Sequence, residues 1–257
     1  MKIGIFDSGL GGLFLMKPIV AALPQYDYLY LGDTKNLPYG DKSQEEIYRF
    51  TRRAVKYLLT HGCAIVLVMC NTASAMALRR IQQEGYRALG IIIPTVEEAC
   101  LAQSRRAQGK RIGILATQST VDSGAYSREL EKAWPGVEVF QQAAPQLVPM
   151  IESGNYTIFA YASIVKSYLD PLLAQNIDTL ILGCTHYVVL KDLIRKLAPG
   201  VRVISQDELI ADKVRDYLAR HSEIESVLSK KGTRNYLATR TTHLQSKKNF
   251  YIINAWV

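Results

Sequence analysis

A chain of 257 residues has room for one large or two modest domains, each with its own core. At 48% hydrophobic and 21% charged residues, its composition is that of a globular protein. No apolar run reaches the ~18 residues of a membrane span, and Met1-Lys2-Ile3-Gly4 enters a strand without signal-peptide regions, so a cytoplasmic protein with no membrane partner is expected. The net charge of +8 is uneven: residues 226–257 carry Lys230, Lys231, Arg234, Arg240, Lys247 and Lys248 with no acidic residue. Such a tail could meet nucleic acid, but it has no recognisable nucleic-acid motif, and a solvated surface is the stronger reading. Cys63, Cys70, Cys100 and Cys184 are scattered, with no C-x-x-C pair, which makes free thiols the expectation and gives no metal site.

Lys2 to Phe6 reads as a strand, followed by the glycine-rich turn Asp7-Ser8-Gly9-Leu10-Gly11-Gly12 and a helix from Leu13 to Leu23. The glycines fit no dinucleotide fingerprint and no P-loop lysine follows, so they mark a turn that lets backbone approach closely. Tyr28 to Leu31 is a second strand, and Ser43 with Glu46 forms a capping box for a helix over 44–62. Ala64 to Met69 is a β-branched run ending in Cys70, with a helix over 73–83 after it. Ile91 to Pro94 reads as a strand stopped by proline, followed by a helix over 96–108.

The pattern then restarts. Arg111-Ile112-Gly113-Ile114-Leu115 repeats Lys2-Ile3-Gly4-Ile5-Phe6 at a distance of 109 residues and ends in Ala116-Thr117-Gln118-Ser119-Thr120. A helix over 123–132, a strand over 137–141, a loop over 148–154 and a helix over 160–174 follow. Asp178 to Gly183 is a buried strand that ends, like the one before Cys70, in a thiol: Cys184-Thr185-His186-Tyr187. A helix over 189–197, a strand over 201–204 and a helix over 207–220 precede the weakly patterned tail. Cys70 and Cys184 stand 114 residues apart, near the 109 of the repeated strand, so the chain reads as two α/β halves with equivalent strand ends.

Open parallel sheets bind ligands beyond the carboxyl ends of their strands, where Asp7, Cys70, Thr117 and Cys184 all fall. Halves that face each other bring a thiol to each side of a small ligand, which suits removal of a proton from one face of a carbon and delivery to the other. Each thiol needs a proton-moving partner, since a free thiol is mostly protonated at neutral pH. Asp7, Glu152 and His186 are the candidates, although each alone is as readily a capping or structural group. Asn71, Thr72 and Thr185, with Ser8, Thr117 and Thr120, offer hydrogen bonds to a carboxylate and its developing carbanion. A cysteine hydrolase with Cys184 as nucleophile and His186 as base is the alternative from another class; it leaves Cys70 idle.

Taken in order, Phe6-Asp7-Ser8-Gly9-Leu10-Gly11-Gly12, Gly32-Asp33-Thr34, Pro38-Tyr39-Gly40, Cys70-Asn71-Thr72-Ala73-Ser74, Ala116-Thr117-Gln118-Ser119-Thr120 and Leu182-Gly183-Cys184-Thr185-His186-Tyr187 closely resemble glutamate racemase over residues 2 to 206. The resemblance implies two pseudo-symmetric α/β domains with mainly parallel sheets across a central cleft, residues 1–95 with 207–257 forming one and 96–206 the other. It implies interconversion of L- and D-glutamate without a cofactor, supplying D-glutamate for peptidoglycan, by a homodimer; a related substrate such as aspartate is the alternative. Cys70 would deprotonate the D enantiomer with help from Asp7, and Cys184 the L enantiomer with help from Glu152 and His186. Substrate contacts would fall to Ser8, Pro38, Tyr39, Gly40, Asn71, Thr72, Thr117, Thr120 and Thr185. Two positions depart from the family pattern: Asn36 where arginine is common, and Val188 where proline is common.

Overall fold

The structure, a computed structural model, describes residues 1–103, 111–153, 158–240 and 250–252. The first half runs β1 (Lys2–Asp7), α1 (Gly12–Ala22), β2 (Tyr28–Gly32), α2 (Gln44–Thr60), β3 (Cys63–Val68), α3 (Asn71–Met76), α4 (Leu78–Gln83) and β4 (Ala88–Gly90). Helix α5 (Ile92–Gln103) leads to the second half: β5 (Arg111–Ala116), α6 (Gln118–Asp122), α7 (Ala125–Ala133), β6 (Glu138–Ala143), α8 (Leu147–Ser153), α9 (Ile158–Leu173), β7 (Thr179–Gly183), α10 (Lys191–Leu197) and β8 (Arg202–Ile204). The chain closes with α11 (Ile210–Arg220), α12 (Ser222–Glu225), β9 (Arg234–Ala238) and β10 (Phe250–Ile252).

All described strand pairs are parallel, in two sheets ordered β10-β9-β2-β1-β3-β4 and β6-β5-β7-β8. The order β2-β1-β3-β4 of the first half recurs as β6-β5-β7-β8 in the second, so the repeat seen in the letters is a repeat of topology. Parallel strands are buried on both faces, and the period of two sorts their side chains. Ile3, Ile5, Tyr28, Tyr30, Ile65 and Leu67 point to a core under α1 and α11. Phe6, Leu29, Leu31, Val66 and Val68 point the other way, onto Ile47, Val55 and Leu58 of α2. In the second sheet, Leu115, Leu180 and Leu182 pack on Val165 and Leu169 of α9, while Ile112, Ile114 and Ile181 pack on Val96 of α5 and Leu130 of α7.

Helix α2 begins at Ser43, whose side chain accepts from the Glu46 N–H while Glu46 reaches back, forming the expected capping box. The run Ile91 to Pro94 corrects a sequence expectation: the strand is Ala88–Gly90, and Ile92, Ile93 and Pro94 open α5. The segment expected as a loop over 148–154 is another, since Leu147–Ser153 is helical, with residue 154 outside the described part. In both, a proline stands in the first turn of a helix, where its missing N–H costs nothing. The helix expected over 73–83 is two, meeting at Ala77. The helix expected over 123–132 is found over Ala125–Ala133, and a further short helix the sequence did not suggest, Gln118–Asp122, precedes it; the two part near Gly124, whose φ of 60° lies in the left-handed region.

The basic tail, unpatterned to the eye, supplies strands. β9 pairs with β2 from Tyr28–Arg234 to Gly32–Ala238 and carries β10 outside it. Lys230 is bridged to Glu225 at 2.7 Å, and Arg234 donates to the Pro24 carbonyl at 2.8 Å. Lys247 and Lys248 lie outside the described residues. Among the described residues, no helix is long and apolar enough to cross a membrane.

Candidate active site

Strand ends deliver the chemistry. Asp7 ends β1, Cys70 follows β3 and caps α3, Thr117 follows β5 and caps α6, and Cys184 follows β7. One cleft between the sheets is lined by both Cys70 and Cys184, together with Ser8, Asn71, Thr72 and Thr117 from strand ends, Pro38, Tyr39 and Gly40 from the loop after β2, and Thr185 and His186 after β7. Three of the expected site residues stand behind this lining: Asp7, Thr120 and Glu152.

Cys70 is buried at the cleft wall. Its thiol donates to Ser8 Oγ at 3.2 Å, and its sulfur accepts from the Ala73 N–H at 3.4 Å. Burial, reinforced by the charge of Asp7, pushes the thiol up to about 12 against those two bonds. Asp7 is fully buried; burial raises its carboxyl despite the opposing charge of His186 and the N–H groups of Gly9 and Gly12. Its Oδ2 accepts from Gly9 at 3.0 Å and its Oδ1 from the Thr185 hydroxyl at 3.3 Å, so Asp7 touches the second half as well as the first.

Around Cys184 a relay is laid out. His186 Nδ1 is 3.8 Å from Cys184 Sγ, and His186 Nε2 is 2.5 Å from Glu152 Oε1. Burial alone would lower the imidazole, but its bonds to Cys184 and Glu152 and the charges of Cys184 and Asp7 outweigh that and hold it up at about 10. At neutral pH His186 is therefore a buried cation between Cys184 and Glu152. Glu152 reaches it from the end of α8, in the segment the sequence reads as loop.

The glycine turn after β1 permits this proximity. A Cβ on Gly11 would stand 2.5 Å from Thr185 Oγ1 and 2.7 Å from His186 Nδ1, and one on Gly12 would stand 2.6 Å from the Asp7 Cβ. Gly11→Ala is expected to displace Thr185 and His186 and lower turnover about a hundredfold. Steady-state kinetics of that variant check it; unchanged turnover would mean that the two side chains move aside freely.

Three hydroxyls close the cleft from opposite halves. Thr72 Oγ1 lies 2.8 Å from Thr117 Oγ1 and 3.2 Å from Thr120 Oγ1, and the latter two are 2.9 Å apart. The Ser119 hydroxyl donates to the Gly40 carbonyl at 2.6 Å, tying α6 to the loop after β2.

Asn71 lines the cleft as expected of a site residue, and its side-chain amide is also engaged at the joint between halves. It donates to Gln206 Oε1 at 2.9 Å, and Gln206 Nε2 donates back to Asn71 Oδ1 at 2.8 Å. The Tyr126 hydroxyl donates to Asn71 Oδ1 at 2.7 Å, and Gln206 Nε2 also reaches Tyr126 Oη and Thr95 Oγ1. Thr95 lies where the chain crosses to the second sheet and Gln206 where it leaves it, so one buried latch joins both crossings to the residue after Cys70. Gln206 and Tyr126 escaped the sequence reading. Gln206 could have been flagged, since it too follows a strand end, after β8. Of the two departures, Asn36 donates to both oxygens of Asp33 at 3.0 and 2.9 Å, and Val188 packs against the core under α1.

A pair of parallel sheets that brings a cysteine from each of two equivalent strand ends into one cleft is the arrangement of a class of racemases: the family model described as Asp/Glu/Hydantoin racemase matches residues 11–213. The chain belongs to that family. It is 42% identical over 219 residues to the glutamate racemase of Aquifex aeolicus (strain VF5), covering 85% of this chain and 84% of the relative. Among solved structures it resembles glutamate racemase isoform RacE1 of Bacillus anthracis, with a TM-score of 0.85 at 30% identity over 98% of this chain and 96% of that one. The glutamate racemase of Francisella tularensis, solved in complex with D-glutamate, superposes with a TM-score of 0.87 at 28% identity, over 99% and 98%.

Proposed function

We propose that this protein interconverts L- and D-glutamate by moving the α-proton between two thiols, one on each face of the α-carbon. The observation that carries the proposal is Cys70 and Cys184, at equivalent ends of β3 and β7, lining one cleft. From L-glutamate, the Cys184 thiolate takes the α-proton, and the Cys70 thiol returns one to the opposite face, leaving Cys70 as thiolate and Cys184 as thiol. D-glutamate runs the same steps backwards. Cationic His186 counterbalances a thiolate on Cys184 and passes protons between it and Glu152, while Asp7 does the corresponding work for Cys70. With its thiol pushed up to about 12, Cys70 stands as a proton donor, the form that L-glutamate meets.

Thr72, Thr117 and Thr120, which bond to one another across the cleft, turn to a substrate carboxylate when it arrives. Ser8, Thr185, the Pro38-Tyr39-Gly40 loop and the backbone at Asn71 complete its binding. Residues 1–95 with 207–257, and residues 96–206, form the two domains that face each other across the substrate. The same reading places the protein in the cytoplasm as a homodimer supplying D-glutamate for peptidoglycan. Incubation with L-glutamate in heavy water, with no pyridoxal phosphate added, tests the reaction. Rotation should fall to zero, with deuterium at the α-carbon of the product; two enantiomers that both keep their α-proton would overturn the proposal.

A further inference from the structure

We infer that Thr239, in the basic tail, is a positioning residue for the substrate-facing loop Pro38-Tyr39-Gly40, acting through Asp33; the inference rests on the racemase reading for its kinetic arm only. Asp33 is buried, 1% exposed, just past the end of β2. Its carboxylate is held by neutral donors: the Tyr39 hydroxyl on Oδ2 at 2.7 Å, the Asn36 amide on both oxygens, and the Thr239 hydroxyl on Oδ1 at 2.7 Å. Burial, then the charge and hydrogen bond of Asp33, raise the Tyr39 phenol far above its ordinary value, so it remains a donor to Asp33 throughout the working range.

Thr239 follows β9 and is locked in place from both sides. Its N–H donates to the Gly32 carbonyl at 3.1 Å, and its Oγ1 accepts from the Lys35 N–H at 2.9 Å while its hydrogen goes to Asp33. Next to it, the Arg240 N–H donates to Thr34 Oγ1 at 3.0 Å. The tail thus clamps residues 32–35, and Asp33 hands that constraint to Tyr39, a wall of the cleft. At the far end of the loop, Gly40 is pinned by Ser119 from the other half.

A buried carboxylate compensated by neutral donors is sensitive to losing one. Thr239→Val keeps the shape but strips Asp33 Oδ1 of a donor and Lys35 N of its acceptor. Asp33 then resettles and Tyr39 follows, while the thiols and His186 are untouched, so binding suffers more than chemistry.

The test compares wild type, Thr239→Val, Thr239→Ser and Tyr39→Phe, the last cutting the same tie at its other end without touching the tail. Thr239→Val and Tyr39→Phe should each raise KM for glutamate about tenfold, with kcat of Thr239→Val within about twofold of wild type, and Thr239→Ser should restore KM. Amide hydrogen exchange, which needs no substrate, should be faster over residues 34–42 in Thr239→Val and wild-type in Thr239→Ser. A lowered Tm with wild-type KM and wild-type exchange in the loop would overturn the inference, as would a serine variant no better than valine. A wild type without glutamate turnover would overturn the racemase reading instead, and the exchange measurement would still decide whether Thr239 positions the loop.

Discussion

Cys70→Ala and Cys184→Ala are each expected to lower glutamate racemisation by about a thousandfold or more, and the double variant by little more than either alone. The two thiols act as one unit, because inversion requires removal on one face and delivery on the other, and half a relay completes neither direction. Both cysteines line the same cleft, and their surroundings differ enough to separate them. In Cys184→Ala, Cys70 still faces the D enantiomer, so D-glutamate should slowly exchange its α-proton with heavy water without inverting, while L-glutamate keeps its own. Cys70→Ala should show the mirror image. Proton NMR of both enantiomers with both variants reads the four outcomes, and turnover near wild type by either variant would overturn the two-thiol scheme.

His186→Asn is expected to cost about a hundredfold in kcat and to remove the alkaline limb of the pH–rate profile. In the wild type the imidazole is held up at about 10, so the cation beside Cys184 persists through neutral pH and is lost as pH climbs through that value. The sign for stability is the same. The folded state binds the proton more tightly than the unfolded chain, whose imidazole titrates near ~6.5. The contribution is complete below that pH and fades as pH rises to about 10. The melting temperature of the wild type should therefore fall across this window more than that of His186→Asn. Parallel melting curves at several pH values check it, and equal slopes would show that Glu152 and Cys184 do not hold the proton.

Much of the fold is legible because the long strands are unbroken β-branched and aliphatic runs, and because polar turn residues follow their ends. The capping box at Ser43 was equally plain. Two proline-bearing stretches misled for one reason. Pro94 reads as the stop of a strand and residues 148–154 read as a loop around Pro149, whereas each proline occupies the first turn of a helix, and only packing reveals which side of the proline the helix lies on. The tail strand β9 was illegible because Arg234, Asn235 and Tyr236 are only partly buried at its start and give little alternation to read. Within the site, the residues at strand ends could be named from the chain. The bonds that orient them could not, since Asn71 to Gln206, Asp33 to Thr239 and His186 to Glu152 join residues separated by 135, 206 and 34 positions.

The latch formed by Asn71, Gln206, Tyr126 and Thr95 has a consequence for how acidity acts on this molecule. Two amides and a threonine hydroxyl carry no titrating proton, and burial drives the Tyr126 phenol far above its ordinary value. The latch itself is therefore blind to pH, while the cleft a few residues away is crowded with groups that gain and lose protons. Acid and alkali should change what the thiols do before they loosen this latch, so the hydrogen bonds that hold the residue after Cys70 stay in place while the protons in the cleft move.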